Sequence, residues 1–214
     1  MYFTLLLKFH FPTFLFIFFC APFTLLNARS PQREPVLIVE PSFYHRPLEC
    51  LIPGARKTVV TAAWMDPLHP TSFFFLKPSL QTIQPSWMDS FFQKGRNSLS
   101  EHLALLTPRF VRDEHQIILT AILESNDPLA ASTILAPNFG EEFIKIFGPQ
   151  MLIAIPSASR IYVFSKLLSA LPLLAPVIKD DYLLATIPLS LEIFELDFKL
   201  GERQLHAIGS LESL

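Results

Sequence analysis

The chain has 214 residues, enough for one well-cored domain, with 50% hydrophobic and 17% charged residues, a net charge of −2 and 19 prolines. That balance argues against a disordered polyelectrolyte and leaves no basic surplus for a nucleic-acid backbone. Eight of the 21 phenylalanines fall in the first 28 residues, where Lys8 is the one charged side chain. The 186 residues that follow carry 16 Lys and Arg against all 19 Asp and Glu, an ordinary globular balance.

From Phe9 to Ala28 no residue is charged, with Lys8 before the stretch and Arg29 and Arg33 after it. A helix of that length spans about 30 Å of hydrocarbon, but Pro12 and Pro22 each remove a backbone donor. The pattern fits a secretory signal peptide: Lys8 closes the n-region, Phe14 to Phe19 form the apolar centre, and Leu26-Asn27-Ala28 resembles a cleavage site. An uncleaved membrane anchor over residues 9–28, or a mis-assigned start or buried helix, is the alternative. Cys20 suggests a lipoprotein, but Ile17, Phe18 and Phe19 are too bulky for that processing signal. The expected location is thus exported, periplasmic or secreted, after cleavage near Ala28, or anchored in the membrane by residues 9–28. Cleavage would leave Cys50 alone, which excludes an internal disulfide and a cysteine metal site. An exported chain without disulfides fits a bacterial envelope, and Cys50, beside Leu51 and Ile52, reads as a small buried apolar group.

Residues 29–56 read as a Pro-rich arm with one short strand at Val36 to Val39, because proline at that density prevents a helix. Residues 57–200 read as a single domain. Its first pair of strands, Lys57 to Met65 and Ser72 to Leu76, is joined by the loop Asp66 to Thr71. Trp87, Phe91 and Phe92 then predict a helix with Ser86 and Asp89 arranged as its N-terminal cap, broken at Gln93 to Asn97, and a second helix through Leu99, Leu103 and Leu106. The run QIILTAIL predicts a strand up to Leu123. Phe139, Phe143, Ile146 and Phe147 form one helical stripe stopped by Gly148-Pro149. Met151 to Ile155 and Arg160 to Phe164 predict a hairpin with a four-residue connection at Pro156 to Ser159. Ser165 to Asp181 reads as a helical region cut by Pro172 and Pro176, and Pro188 to Phe198 as a strand whose apolar phase shifts through a bulge. Residues 201–214 read as a polar, loosely held tail. Hairpins and helices without a βαβ rhythm predict an α+β fold, with a mainly antiparallel sheet and helices packed on it.

Within this order, ILAPNF, MLIAIPSASRIYVF and YLLATIPLSLEIFELD, lying between Ile134 and Asp197, resemble the C-terminal region of an uncharacterised bacterial family, the YtpQ-like or domain-of-unknown-function 1444 group. The resemblance covers about 64 residues, counted from those bounds. It implies an α+β fold and carries over no catalytic residue.

Candidate sites are few. No catalytic motif of specific spacing occurs, no two histidines stand at metal-ligand spacing, and no cofactor is expected. Asp66 and His69 share a short loop, where a carboxylate can orient an imidazole for base catalysis, or where Asp66 starts a turn and His69 is solvated. Asp113-Glu114-His115 is denser, but three consecutive side chains do not face one way. Ser157 and Ser159 beside Arg160 lack the strained setting of an activated nucleophile. Glu192, Glu195 and Asp197 read as the solvent face of an edge strand, where charge blocks edge-to-edge association, rather than as cation ligands. Arg56-Lys57 and Lys94-Gly-Arg96 are too few for a nucleic-acid footprint. Phe73, Phe74 and Phe75 read as core under a sheet covered on both sides, the alternative being an exposed Phe74 that marks a partner or lipid contact. The expectation is a non-enzymatic envelope or protein-interaction module of unknown partner, with membrane contact only through a retained N-terminal segment. The alternative is a hydrolase-type enzyme with a site near Asp66 and His69; His115 is a further candidate.

Overall fold

The β-branched run from Thr58 seeds the first sheet. In the computed structural model, which describes residues 33–79, 84–198 and 203–213, it forms β3 (Thr58–Asp66). Along one edge β3 takes β1 (Glu34–Pro41), antiparallel, from Glu34 opposite Met65 to Pro41 opposite Thr58. Its other edge is shared by two short strands, β2 (Glu49–Leu51) against its first half and β4 (His69–Phe75) against its second. The described part of the Pro-rich arm is therefore sheet, its prolines lying at strand ends and in the turns between. The expected leader lies outside the described residues.

A second sheet has six antiparallel strands in the order β10-β9-β7-β8-β6-β5. In chain order these are β5 (Arg109–Arg112), β6 (Ile118–Glu124), β7 (Gln150–Ser157), β8 (Arg160–Ser165), β9 (Glu192–Asp197) and β10 (Gln204–Ser210). The helices are α1 (Pro85–Ala104), α2 (Ile144–Phe147) and α3 (Leu171–Leu184). The fold is α+β, as expected.

Both faces of the second sheet are covered. Ala121, Leu123, Ile153, Val163, Phe194 and Leu196 join one core with the first sheet and α1. Their neighbours Ile122, Leu152, Ala154, Tyr162, Phe164 and Ile193 join another, under Leu171, Ala175 and Ile178 of α3. This explains the apolar phase shift along β9. The register of β9 on β7 is regular; Ile193 and Phe194 are apolar in succession because Phe194 packs in the core shared with the first sheet and Ile193 in the core under α3. The bulge lies instead on β10, between Ala207 and Gly209.

Several expectations are corrected by the packing. The tail is not loose, since β10 pairs with β9. That strand makes β9 internal, so Glu192, Glu195 and Asp197 are buried rather than on a solvated edge. The 151–164 hairpin is tighter than read, because Ser157 pairs with Arg160 and Pro156 is held in β7 at a register shift, a position a central strand tolerates. α1 runs unbroken through Gly95, where a Cβ would lie 2.9 Å from Leu37 Cγ; the glycine permits close approach to β1. It begins with Pro85 behind Gln84, which makes no side-chain cap, a proline position that forfeits no intrahelical bond. The 139–147 helix shrinks to α2 because Gly140 takes φ +93° and its open side lies against Leu196 and Phe198. Phe139, Phe143 and Phe147 are still buried, while Ile146 faces out. α3 starts at Leu171, includes both prolines and passes Asp181 to reach Leu184.

Gly95→Val should overpack Leu37 and lower stability by about 1–3 kcal/mol, read as a lower urea midpoint at unchanged slope. An unshifted midpoint would show that the close approach is not needed.

Candidate functional site

The histidines singled out by sequence are surface residues. Asp66 and His69 close the β3–β4 turn: Asp66 Oδ1 accepts the Leu68 amide at 2.9 Å, and Oδ2 lies 3.3 Å from His69 Nδ1. The His69 side chain is 71% exposed. The Leu68 amide, and after it His69, hold the Asp66 carboxyl below its ordinary value, which makes it a weaker base. His115 is similarly placed. Asp113 Oδ1 accepts the His115 and Ile117 amides and so builds the β5–β6 turn, and the His115 side chain is exposed beside Glu114. The two histidines stand on separate turns, and each carboxylate serves its own turn.

The structure assembles a cleft that sequence spacing does not show. It has a volume of about 600 Å³ and lies between the β7–β8 turn, the Asn126-Asp127-Pro128 turn and the end of α3. Ser157 and Ser159 lie on its wall with their hydroxyls 3.3 Å apart. Asp127 opens onto it and receives His102 Nδ1 at 2.6 Å, both side chains being largely buried. Since Asp127 also accepts the Leu129 amide, the pair fastens the end of α1 to this turn. His102 and Asp127 were missed because 25 residues separate them; no local pattern marks such a pair.

At the other wall Arg160 reaches two carboxylates, Asp181 at 2.6 Å and Glu124 at 2.5 Å. Tyr162 donates its hydroxyl to the second oxygen of Asp181. Asp181 and then Glu124 keep the guanidinium protonated well beyond its ordinary range. Burial, then the Asp181 hydrogen bond, pushes the Tyr162 phenol up. Arg160 is thus neutralised on both sides and offers little field to an anionic substrate, while the cluster ties α3 to β8 and β6.

The most exposed apolar surface belongs to α3 and its flanks. Leu171, Ala175 and Ile178 are buried, but Leu173, Val177 and Leu184, spaced four and seven apart, project outward with Leu183. Leu173 is 70% exposed and Leu184 85%. Leu167, Leu168 and Ile187 at the flanks are exposed as well. Exposed Asp180 lies on the same side between Val177 and Leu184, and among the described residues these outward apolar side chains stay uncovered, as on a helix with one face unpartnered.

Other expectations resolve here. Phe74 faces out, with the Arg33 guanidinium 3.9 Å from its ring centre, while Phe73 and Phe75 pack on the core; β4 is an outer strand covered on one side only. Cys50 keeps exposed surface on β2, yet its thiol turns to the Val60 carbonyl and burial pushes its pKa up. Among the described residues there is no group of three metal-ligating side chains, and no helix is long and apolar enough to cross a membrane. A scan of protein-family models and searches of curated proteins and solved structures found no match. The resemblance of the 134–197 region to the YtpQ-like group therefore rests on the residues quoted for it alone.

Asp181→Asn should loosen α3 and cost about 1.5–3 kcal/mol, the worth of hydrogen bonds to a charged group, measured by chemical denaturation. In the native chain the Tyr162 phenol should ionise above the ordinary tyrosine value of about 10. Because its folded value is raised, its stabilisation is complete below the unfolded value and is lost as pH rises through the folded one. An ultraviolet titration should show one late-ionising tyrosine, moved to lower pH by Asp181→Asn. A Tyr162 that titrates with the others would refute the buried cluster.

Proposed function

We propose that this chain is a non-enzymatic interaction module, exported or held at a membrane by its N-terminal segment, that docks a partner protein on the outward side of α3. The observation that carries this reading is the row Leu173, Val177 and Leu184, exposed on a helix whose inner side is already packed. Large apolar side chains in such a row raise the free energy in water, and a partner that covers them lowers it again. The helix is fastened by Asp181 to Arg160 and Tyr162, so the surface is presented without a further ordering cost. The titratable pairs support the same reading. His102–Asp127, Arg160–Asp181 and Glu192 with the start of β3 each tie elements of the fold together. The address rests on the uncharged stretch from Phe9 to Ala28.

The double substitution Leu173→Glu/Leu184→Glu should leave the circular dichroism and melting temperature nearly unchanged, since both side chains are exposed. It should abolish in-cell photocrosslinks from a probe at Val177. Crosslinks that persist in the double variant would refute the docking face. N-terminal sequencing of the chain recovered from its host should start near Arg29 if the leader is cleaved, or retain residues 9–28 in the membrane fraction; an intact chain in the soluble cytoplasmic fraction would refute the address.

A further inference from the structure

A second pocket, of about 260 Å³, is formed where β2 and the chain after it meet α1 and the start of β10. Its walls include Leu37, Val60, Leu135 and Leu205, and two arginines, Arg96 of α1 and Arg203, line the same space. The composition is unusual because the two cations are of like sign. Arg160 and Arg46 pair with carboxylates, whereas among the described residues neither Arg96 nor Arg203 has an acidic partner. Among the described residues Arg203 gives a hydrogen bond from a terminal nitrogen to the Ile134 carbonyl, and its buried Nε has no partner there. A buried guanidinium nitrogen left in this state is costly. Burial and, next, the like charge of Arg96 pull Arg203 down to about 10. An anion placed between the two guanidinium groups would relieve both effects, and the planar fork of arginine suits a carboxylate in particular.

We propose that this pocket binds a medium-chain alkyl carboxylate, its head between Arg96 and Arg203 and its chain along the leucine and valine wall. The wall selects an apolar body, since a small hydrated anion would leave these side chains without a partner. The volume lies just below the usual range for small-ligand sites, which favours a single chain over a two-chain lipid. The pocket stands apart from the outward face of α3, so this inference is independent of the docking surface.

Isothermal titration of the full chain in detergent-free buffer, with decanoate, decanol and inorganic phosphate as probes, tests it. Decanoate should bind, decanol and phosphate should each bind at least about tenfold more weakly, and Arg96→Gln should raise the decanoate Kd at least about tenfold, the lower end of the cost of one charged hydrogen bond. Arg96 is exposed on α1, so this variant should fold, which circular dichroism verifies. Absence of decanoate binding overturns the proposal. So does phosphate binding as tightly as decanoate, which would make the site an inorganic anion site, or an Arg96→Gln variant with unchanged affinity.

Discussion

The fold turns on one buried carboxylate. Glu192 opens β9 in the six-stranded sheet, yet its side chain serves the start of β3 in the other. Oε1 accepts the Arg56 and Lys57 amides at 2.6 and 3.2 Å, and Oε2 accepts the Thr58 hydroxyl at 2.7 Å. Ser190 completes the network, within 2.7 Å of Thr58 Oγ1 and receiving the Glu192 amide. A carboxylate taken out of water is tolerated only when its lone pairs are filled in this way. The position of β3 follows from that contact. Because β1, β2 and β4 all pair with β3, the first sheet as a whole is set against the second. The nearby Lys57–Glu212 pair is exposed and adds little by comparison.

A second fastening decides which surface the molecule presents. α3 has apolar residues on both sides, and packing alone leaves its rotation weakly specified. Burial of Leu171, Ala175 and Ile178 selects one side, and Asp181, held by Arg160 and Tyr162, locks that choice. Leu173, Val177 and Leu184 are left outside as a consequence. The two prolines fit this picture, since Pro172 occupies the first turn and Pro176 gives up a single intrahelical bond.

Elements that depend on local pattern were legible in the sequence. The β-branched run at residues 58–65, the apolar runs of β6, β7 and β8, and the α+β class all follow from periodicity and turn residues within a short window. Features set by distant neighbours were not. Gly95 reads as a helix break until Leu37 is placed against it. Glu192, Glu195 and Asp197 read as an edge until β10 arrives beyond them. Phe74 reads as core until β4 is seen to be an outer strand. The short β5 strand has only four residues and takes its identity from pairing with β6. The sites divide in the same way. Asp66 and Asp113 were visible because each acts within its own turn, whereas His102 with Asp127 and Arg96 with Arg203 meet only through the fold.

Composition and spacing by themselves determined the class, most strand positions and the lack of a recognisable catalytic motif. These are properties of single segments, governed by side-chain period and backbone preference. The tertiary structure alone decided which charges are buried, which side of α3 faces water and where two arginines, without an acidic partner among the described residues, share an apolar pocket. Burial and pairing are relations between segments far apart in the chain, and no local pattern encodes them.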